Sequence, residues 1–437
     1  MIKVCKFGGS SLANARQYRK IKKIVSEEEA RKVIVVSASG KADRNDHKVT
    51  DLLYLCLAHK QYGMSYDDIL REIEDKHADI IRDLKLDYDL QKDIRKIRDL
   101  LESRANNDEI IAYGEYLSAR LMALYLKAEF VDARKVICFN YDGSLDLEKT
   151  REKFLPYLKS ENKLIIPGFY GSLPNGVIRT MSRGGSDITG SLLANVVEAD
   201  VYENWTDVSG IYVCDPRIIK DPKRIETITY AELREMSYMG ASVLHDESIY
   251  PVKEKGIPIN IRNTNKPEDQ GTMIVAECHD KKTIGPITGI TGKKDFVVVS
   301  VAKINSSSEV GFLKRILEVF ENYGISVVLV TTGIDSFSII VDKEDTRNSI
   351  YEIANDIRVG LGCEDVSVYD NLSLVCVVGR GMRSKKGISG KIFSLLGENG
   401  INIRTISQGA DEISIIVGVD DENYAKTISC IYERFVK

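Results

Sequence analysis

Three short stretches of the sequence place glycines beside charged side chains, a combination that suits anion binding. They are KFGGSS at 6–11, SRGGSD at 182–187 and TDVSG at 206–210. A glycine pair after a strand lets backbone N–H groups approach a phosphate, and the positive end of a following helix adds to the attraction. Lys6 could reach the same anion as a point charge. A tight strand-to-helix turn explains the first stretch equally well, so both interpretations stay open for that motif alone.

The second stretch combines a cation, an anion and backbone amides in a small volume. Ser186 is expected to be a helix N-cap, with Asp187 in the first turn, where a carboxylate complements the helix dipole. Capping explains the serine and the aspartate but gives no reason for Arg183 and the two glycines. An arginine beside a glycine turn suits bidentate capture of a carboxylate.

Other polar residues follow predicted strands, and ligands bind open α/β sheets at the carboxyl ends of strands. Asp207 would lie beyond one such strand, and Ser37 and Thr50 would follow another. The segment SASGKADRNDHKVTDLL also fits a polar surface loop, and CDPR also fits a turn with a solvated arginine. Glu115 lies at the start of an amphipathic helix, where an acid is common. The five histidines show no ligand spacing and no GxSxG is present, so the sequence predicts neither a side-chain metal site nor a triad hydrolase.

These residues belong to a region of alternating strands and helices that extends to about residue 285. The apolar runs that predict buried strands are 32–39, 129–133, 163–172, 199–212 and 257–263. Their alternation with amphipathic segments predicts an α/β domain, an open and mostly parallel sheet between helices. Residues 64–112 interrupt this rhythm with charged sequence of helical period, which predicts an inserted helical subdomain or lid.

The last third of the chain contains an internal repeat. Gly311 and Gly387, Gly324 and Gly400, and the two SIIV segments all recur at the same offset without a gap. Each copy reads strand, helix, strand, strand, helix, which predicts a pair of ferredoxin-like βαββαβ modules. Two small modules after a large α/β domain suggest sensing or assembly more than chemistry.

Composition limits the classes of function. A chain of 437 residues with 43% hydrophobic residues predicts two or three domains. The net charge of −4 gives no electrostatic footprint for nucleic acid or an anionic membrane, and neither is expected as a partner. Eight scattered cysteines without a CxxC pair indicate reduced thiols, and no apolar run is long enough for a signal peptide or a membrane span. A cytoplasmic location is expected.

Seven stretches, taken in order, resemble the aspartate kinases of the amino acid kinase family. They are KFGGSS, VVSAS, YGEYLSA, GFYGS, SRGGSDITGSLLA, TDVSGIYVCDPR and GASVLH. The repeats resemble the paired ACT domains of those enzymes. The resemblance covers essentially the whole chain and implies a catalytic domain at 1–285 with the insertion at 64–112, followed by ACT repeats at 290–370 and 371–437.

The resemblance implies transfer of a phosphoryl group from MgATP to the β-carboxylate of L-aspartate, the first step toward lysine, threonine and methionine. ATP and Mg²⁺ are the implied cofactors, with the metal held largely by phosphates rather than by a protein site. Lys6 and Asp187 are the implied catalytic residues. The implied ATP-binding residues are Lys6, Gly8, Gly9, Ser10, Thr206, Asp207, Tyr212, Arg217 and Ser242. The implied substrate-binding residues are Ser37, Thr50, Glu115, Arg183, Gly184, Gly185 and Ser186, with Arg183 on the α-carboxylate and Glu115 on the ammonium group.

Two departures from the family pattern bear on these implications. Ser242 stands where the family usually has a phosphate-facing lysine, and Asp246 stands in place of a proline. Val328 stands where lysine-inhibited relatives carry an acidic residue. Two alternatives therefore accompany the kinase interpretation: a catalytically weak amino-acid sensor, and a kinase of the same fold acting on glutamate, acetylglutamate, carbamate or a nucleotide.

The ACT resemblance also implies regulation and assembly. An amino-acid effector, lysine or threonine, is expected near the first repeat. The residues assigned to it are Ser306, Gly311, Phe312, Leu313 and Val328. ACT modules usually pair between chains, so a homodimer or a dimer of dimers is expected.

Overall fold

The computed structural model describes residues 1–103, 105–182, 184–240, 244, 248–278, 285–346 and 349–437. The chain divides into two compact units. The first unit comprises Met1–Ile211, Arg224–Tyr230 and Ser242–Cys278, and the second comprises Tyr212–Lys223, Ala231–Ala241 and His279–Lys437.

An eight-stranded sheet organises the first unit. The strands before residue 285 are β1 (Lys3–Phe7), β2 (Arg31–Val36), β3 (Glu129–Phe130), β4 (Leu164–Pro167), β5 (Tyr170–Ser172), β6 (Ile178–Thr180), β7 (Val201–Thr206), β8 (Thr227–Thr229), β9 (Ile259–Asn263) and β10 (Thr272–Val275). The order in the sheet is β3-β4-β2-β1-β7-β9-β10-β8, and β5 and β6 form a separate antiparallel pair. Among the described strands of the large sheet, only β9 and β10 pair antiparallel. The predicted mostly parallel sheet is confirmed, and the five predicted strand regions each contain a strand.

Helices lie between these strands. They are α1 (Ala15–Ser26), α2 (Val49–Gln61), α3 (Asp67–Leu84), α4 (Leu90–Glu102), α5 (Asn107–Ile111), α6 (Tyr113–Leu126), α7 (Ala133–Val136), α8 (Leu147–Phe154), α9 (Gly185–Val196), α10 (Tyr230–Tyr238) and α11 (Tyr250–Glu254). The charged segment 64–112 is helical, as its period predicts, and α3 and α4 bury one apolar stripe each in a core shared with α2.

Side chains alternate between the two faces of the sheet, and this alternation decides which residues reach the site. Cys5 and Phe7 of β1 pack with α1 and α6 in one core. Lys6 therefore lies on the opposite face, which α9 covers. The approach of α9 is close, since a Cβ at Gly190 would lie 2.7 Å from the Tyr202 ring.

A buried carboxylate ties three strands together on the face away from α9. Glu203 of β7 is 1% exposed and accepts hydrogen bonds from Arg31 Nε at 2.8 Å and Trp205 Nε1 at 2.9 Å, with Lys3 Nζ at 3.3 Å. Burial alone would raise the pKa of Glu203, but the hydrogen bonds and charge of Arg31 outweigh it and hold the pKa below its usual value. The ionised form is therefore the native one.

Replacing Arg31 by methionine is expected to lower the free energy of unfolding by about 3–5 kcal/mol, because it leaves the Glu203 carboxylate buried without its main partner. Trp205 is the only tryptophan in the sequence and contacts this cluster, so its fluorescence in a urea titration reports the change. The control is Arg98→Ala, which removes an exposed ion pair with Asp67 and is expected to cost less than about 1 kcal/mol. Equal losses in the two variants would contradict this account of the core.

The second unit contains a six-stranded antiparallel sheet in the order β12-β13-β11-β14-β16-β15. Its elements are β11 (Gly289–Ala302), α12 (Phe312–Asn322), β12 (Val327–Thr332), β13 (Ser336–Asp342), α13 (Ile350–Gly360), β14 (Asp365–Val378), α14 (Ile388–Glu398), β15 (Thr405–Gln408), β16 (Ser414–Asp420) and α15 (Tyr424–Phe435). The two predicted βαββαβ modules are confirmed.

The modules share their two central strands, which the repeat did not predict. The first half of β11, residues 289–293, pairs with the second half of β14, and the second half of β11 pairs with the first half of β14. The second module therefore takes its fourth strand from sequence that precedes the first module. When the four strands of each module are numbered in the order of the βαββαβ pattern, their order in the sheet is 2-3-1-4. In each module, one pairing between half-strands of β11 and β14 joins strand 1 to strand 4.

Candidate active site

A cavity of about 1150 Å³ opens in the first unit at the carboxyl ends of the parallel strands. Part of its wall comes from segments that directly follow β1, β2, β4 and β7, the position where open α/β sheets bind ligands. The sequence-predicted residues that the structure brings together on its walls are Lys6, Gly9, Ser10, Ser37, Thr50, Glu115, Gly184, Gly185, Ser186, Asp187 and Asp207. Gly8 and Thr206 lie next to wall residues at the ends of β1 and β7.

The turn after β1 forms one wall of the cavity. We call residues 8–12 the β1 turn. The Gly8 amide donates to Trp205 O at 3.0 Å, and Gly9–Leu12 form a single 3₁₀ turn. Gly9 is needed for close approach, because a Cβ there would lie 3.0 Å from Ala38 O and 3.2 Å from Gly40 Cα. The helix that follows begins only at Ala15, and Asn14 Oδ1 is its N-cap acceptor.

Lys6 and Asp187 form an ion pair inside the cavity. Lys6 Nζ lies 2.6 Å from Asp187 Oδ1, and the two side chains are 9% and 18% exposed. Asn204 Nδ2 donates to the same Asp187 oxygen at 2.7 Å. Lys6 and Asn204 are register partners on neighbouring strands and point to the same face. Asp187 thus fixes the ammonium group of Lys6 at the mouth of the β1 turn, and Asn204 fixes Asp187.

Asn204 was not among the predicted site residues, although the sequence carried a signal for it. An asparagine in the middle of a central buried strand has no ordinary packing role, and its side chain must find a partner. Asn204 is 4% exposed and its partner is Asp187. Other wall residues that sequence reasoning missed are Ala38, Gly40, Lys48, Asp51, Tyr54, Phe169, Met181 and Ser182.

The SRGGSD stretch leads into α9, but the cap differs from the prediction. The N-cap is Gly184, whose φ of 78° is a left-handed conformation that favours glycine, and no side chain caps the helix. Ser186 is therefore not the N-cap; it is the second helical residue and packs against Gly168. Asp187 does lie in the first turn, as predicted. Arg183 lies outside the described residues.

Glu115 lies in the first turn of α6, as predicted, but it is buried rather than solvated. The residue is 4% exposed, it lines the cavity, and its Oε2 has no hydrogen-bond partner among the described residues. Burial raises the pKa of Glu115 to about 8, against the smaller lowering effects of the Ala38 amide, its own amide and the charge of Lys6. A buried carboxyl oxygen without a partner, on the wall of a cavity, suits a ligand that brings its own positive charge.

Two of the remaining predicted nucleotide residues, Tyr212 and Arg217, do not line this cavity. Tyr212 and Arg217 belong to the second unit. The Arg217 side chain is 89% exposed and lies 2.6 Å from Asp215, which matches the solvated turn considered as the alternative. Ser242, like Asp246, lies outside the described residues.

The five predicted effector residues lie in the first module of the second unit. Ser306 begins a 3₁₀ turn, and its buried Oγ has no hydrogen-bond partner among the described residues. Gly311 is the N-cap of α12 with a φ of 79°, Phe312 and Leu313 follow it, and Val328 lies in β12. A cavity of about 180 Å³ in this unit is formed by strand residues such as Ser300 and is lined by none of these five.

The described residues contain neither a side-chain metal site nor a membrane-spanning helix. Among them, no group of three or more His, Cys, Asp or Glu side chains is arranged to hold a metal ion. In the same part of the chain, no helix has the length and apolar character needed to cross a membrane.

Known proteins share both the sequence and the fold. The model of the amino acid kinase family matches residues 1–263, and a model of the ACT domain matches residues 375–435. Aspartokinase 3 of Bacillus subtilis is 38% identical over 99% of this chain and 98% of its own length. The crystal structure of Clostridium acetobutylicum aspartate kinase is 45% identical with a TM-score of 0.92, covering 99% of both chains. E. coli aspartokinase III in complex with aspartate and ADP is 26% identical with a TM-score of 0.76, covering 99% of both.

The parallel sheet, the cavity at its carboxyl edge and the family match agree. The chain belongs to the amino acid kinase family, and its carboxyl-terminal part contains an ACT domain. Within that family its whole length aligns with aspartokinases.

Proposed function

We propose that this chain is an aspartate kinase, which transfers the γ-phosphoryl group of ATP to the β-carboxylate of L-aspartate. The observation that carries the proposal is the cavity in which the Lys6–Asp187 pair, the β1 turn and the buried Glu115 carboxyl meet. Full-length alignment with aspartokinases favours this function over an amino-acid sensor or a kinase for another small substrate.

The nucleophile needs no general base. A carboxylate with a pKa of about 4 is already ionised at neutral pH. Catalysis then depends on aligning two anions and on neutralising charge as the phosphoryl group moves. Lys6 Nζ supplies a cation at the end of β1, and backbone amides of the β1 turn supply further donors. Asp187 and Asn204 keep that cation in place, so it need not reorganise during the reaction.

Aspartate is a zwitterion with an additional carboxylate, so its recognition requires one fixed anion and at least one fixed cation. Glu115 is assigned to the ammonium group, and Arg183 is assigned to the α-carboxylate by sequence. In the ligand-free state the carboxyl of Glu115 is largely protonated at pH 7, because its pKa is about 8. Binding of the ammonium group favours the ionised form, so binding of aspartate releases a proton from Glu115. Ser37 and Thr50 line the same cavity and are assigned to substrate positioning.

Oxygen donors on the cavity walls suit a hard cation. Mg²⁺ usually keeps several waters and binds through one or two carboxylates together with substrate phosphates. Of the four carboxyl groups described on these walls, Asp187 and Asp207 would hold the metal, and Ser10 adds a hydroxyl. When bound with ATP, Mg²⁺ would offset negative charge on the phosphates.

Regulation and organisation are further parts of the proposal. We assign residues 1–285 to the catalytic domain, with the insertion at 64–112, and residues 290–370 and 371–437 to the ACT repeats, with residues 289–293 completing the second. E. coli aspartokinase III has been crystallised with lysine and aspartate, at 27% identity and a TM-score of 0.76. By analogy, an amino-acid effector such as lysine or threonine would bind near Ser306 and Gly311. A homodimer formed through the ACT modules and a cytoplasmic location complete the proposal, which places the chain in lysine biosynthesis.

The test is ADP release in a coupled assay with MgATP and a panel of acceptors: L-aspartate, L-glutamate, N-acetyl-L-glutamate and carbamate. We expect ADP release with aspartate alone, and inhibition of that activity by lysine or threonine. Release with another acceptor would assign a different substrate, and amino-acid binding without ADP release would favour the sensor.

A further inference from the structure

A loop next to the β1 turn is held in place by several hydrogen bonds and a partly buried ion pair. We call residues 40–48, with the sequence GKADRNDHK, the tethered loop. It connects the end of β2 to α2, and two of its lysines, Lys41 and Lys48, line the active-site cavity. Neither side-chain ammonium group has a hydrogen bond or an ion pair to any described residue, whereas the Lys6 ammonium is held by Asp187.

The first end of the loop touches the β1 turn directly. The Gly40 amide donates to Gly9 O at 2.9 Å. The two backbones are so close that a Cβ on Gly40 would lie 2.4 Å from Gly9 C and 2.7 Å from Ser10 N. Lys41 follows Gly40 directly in the sequence. Its backbone therefore lies close to the β1 turn, which is assigned to the phosphates. Lys48 is at the other end of the loop, beside Thr50.

One buried lysine holds both ends of the tethered loop. The Lys76 side chain is 9% exposed and extends from α3 of the helical insertion. Its Nζ donates to Gly40 O at 2.6 Å, to His47 O at 2.7 Å and to the two carboxylate oxygens of Asp46 at 2.8 and 2.9 Å.

Asp46 also forms hydrogen bonds to the backbone of the tethered loop itself. It accepts from the Ala42 amide at 2.6 Å and from the His47 amide at 2.8 Å. Burial would raise the pKa of Asp46, but the hydrogen bonds from Lys76 and Ala42 outweigh it and hold the pKa below its usual value. The Lys76–Asp46 contact is therefore an ion pair, and it fixes the backbone on either side of Lys41.

We propose that Lys41 is a phosphate-binding residue of the nucleotide site, and that Lys76 is a positioning residue that holds Lys41 there through the tethered loop. The cavity must bind the phosphates of ATP and the carboxylates of aspartate, which carry several negative charges. Lys41 is a cation without an ion-pair partner among the described residues, on the wall next to the β1 turn. This assignment rests on the proposed kinase function. It gives the helical insertion a role in nucleotide binding.

The test measures binding of AMP-PNP with Mg²⁺ by calorimetry, together with kcat/KM for MgATP and KM for aspartate. For Lys41→Ala we expect affinity for AMP-PNP about 10- to 100-fold lower, the range for loss of a charged hydrogen bond, with KM for aspartate changed less than about threefold. Arg44→Ala is the matched control, since Arg44 is an exposed cation of the same loop that does not line the cavity. We expect it to bind AMP-PNP as the parent does, and equal losses in both variants would overturn the proposal.

The role of Lys76 is tested by non-additivity. Lys76→Met should weaken AMP-PNP binding, and Lys41→Ala combined with Lys76→Met should bind no more weakly than Lys41→Ala alone. Asp46→Asn, which leaves α3 intact, should act in the same direction if Lys76→Met is poorly folded. Additive losses would overturn the positioning role. If the parent protein binds AMP-PNP normally but shows no aspartate-dependent ADP release, the kinase function is rejected. The phosphate site is still tested in that case, by AMP-PNP binding to the Lys41 and Lys76 variants.

Discussion

Replacing Lys6 by methionine is expected to lower kcat for aspartate-dependent ADP release by about 10²- to 10³-fold, the effect of removing one fixed charge-stabilising donor. Lys6 Nζ is paired with Asp187. The alternation of side chains along β1, a central strand, places it near the β1 turn. Methionine keeps the volume of the side chain and removes the charge. KM for aspartate should change little, since Glu115 and Thr50 remain.

A second variant separates lost chemistry from lost folding. Lys6→Met leaves Asp187 with Asn204 as its remaining side-chain partner, and this unbalanced carboxylate should destabilise the first unit. Combining Lys6→Met with Asp187→Asn should restore the urea midpoint toward that of the parent. The combined variant should still be inactive. Recovery of activity together with stability would show that Lys6 acts only as a structural partner of Asp187.

Replacing Glu115 by glutamine is expected to lower kcat/KM for aspartate by about 30- to 10³-fold, because the substrate ammonium group loses its charged partner in a buried site. In the parent, only the ionised form of Glu115 pairs with that group. With a pKa of about 8, kcat/KM should therefore rise about tenfold per pH unit from pH 6 and level off above pH 8. The glutamine variant should lack this rise. A parent profile that is flat between pH 6 and 8 would contradict the assignment of Glu115.

The same substitution should have the opposite effect on stability. Because the pKa of Glu115 is raised on folding, the native state binds this proton more tightly than the unfolded chain does. Its contribution to stability is complete below the unfolded pKa of about 4.5 and is lost as pH rises toward 8. Glu115→Gln should thus unfold at a higher urea concentration than the parent at pH 8.5 and at nearly the same concentration at pH 5.

The sequence predicted the elements and most of the cavity walls because both depend on local patterns. Buried parallel strands are visible in the sequence as apolar runs. Polar residues that directly follow such strands lie at the same edge of the sheet. That reasoning placed Ser37, Thr50 and Asp207 at one edge, and the family resemblance added Lys6 and Asp187 to the same site. It also predicted two ferredoxin-like modules from a gap-free repeat.

What the sequence did not predict depends on contacts between distant segments. Nothing local indicates that Gly184 rather than Ser186 would be the N-cap of α9, because serine is one of the preferred N-cap residues. The exchange of half-strands between β11 and β14 leaves the repeat period unchanged. The link from Lys76 to Gly40 and Asp46 joins residues in segments that the sequence presented as a polar loop and a separate helical insertion.

The most direct test of phosphoryl transfer to aspartate is to trap the product. The protein is incubated with MgATP, L-aspartate and hydroxylamine, and formation of aspartyl hydroxamate is followed beside ADP release. If the chain phosphorylates aspartate at the Lys6 site, hydroxamate forms in an amount equal to ADP, and neither product rises above background with Lys6→Met. ADP release without hydroxamate, or hydroxamate formation that survives Lys6→Met, would contradict transfer of phosphate to aspartate at the Lys6 site.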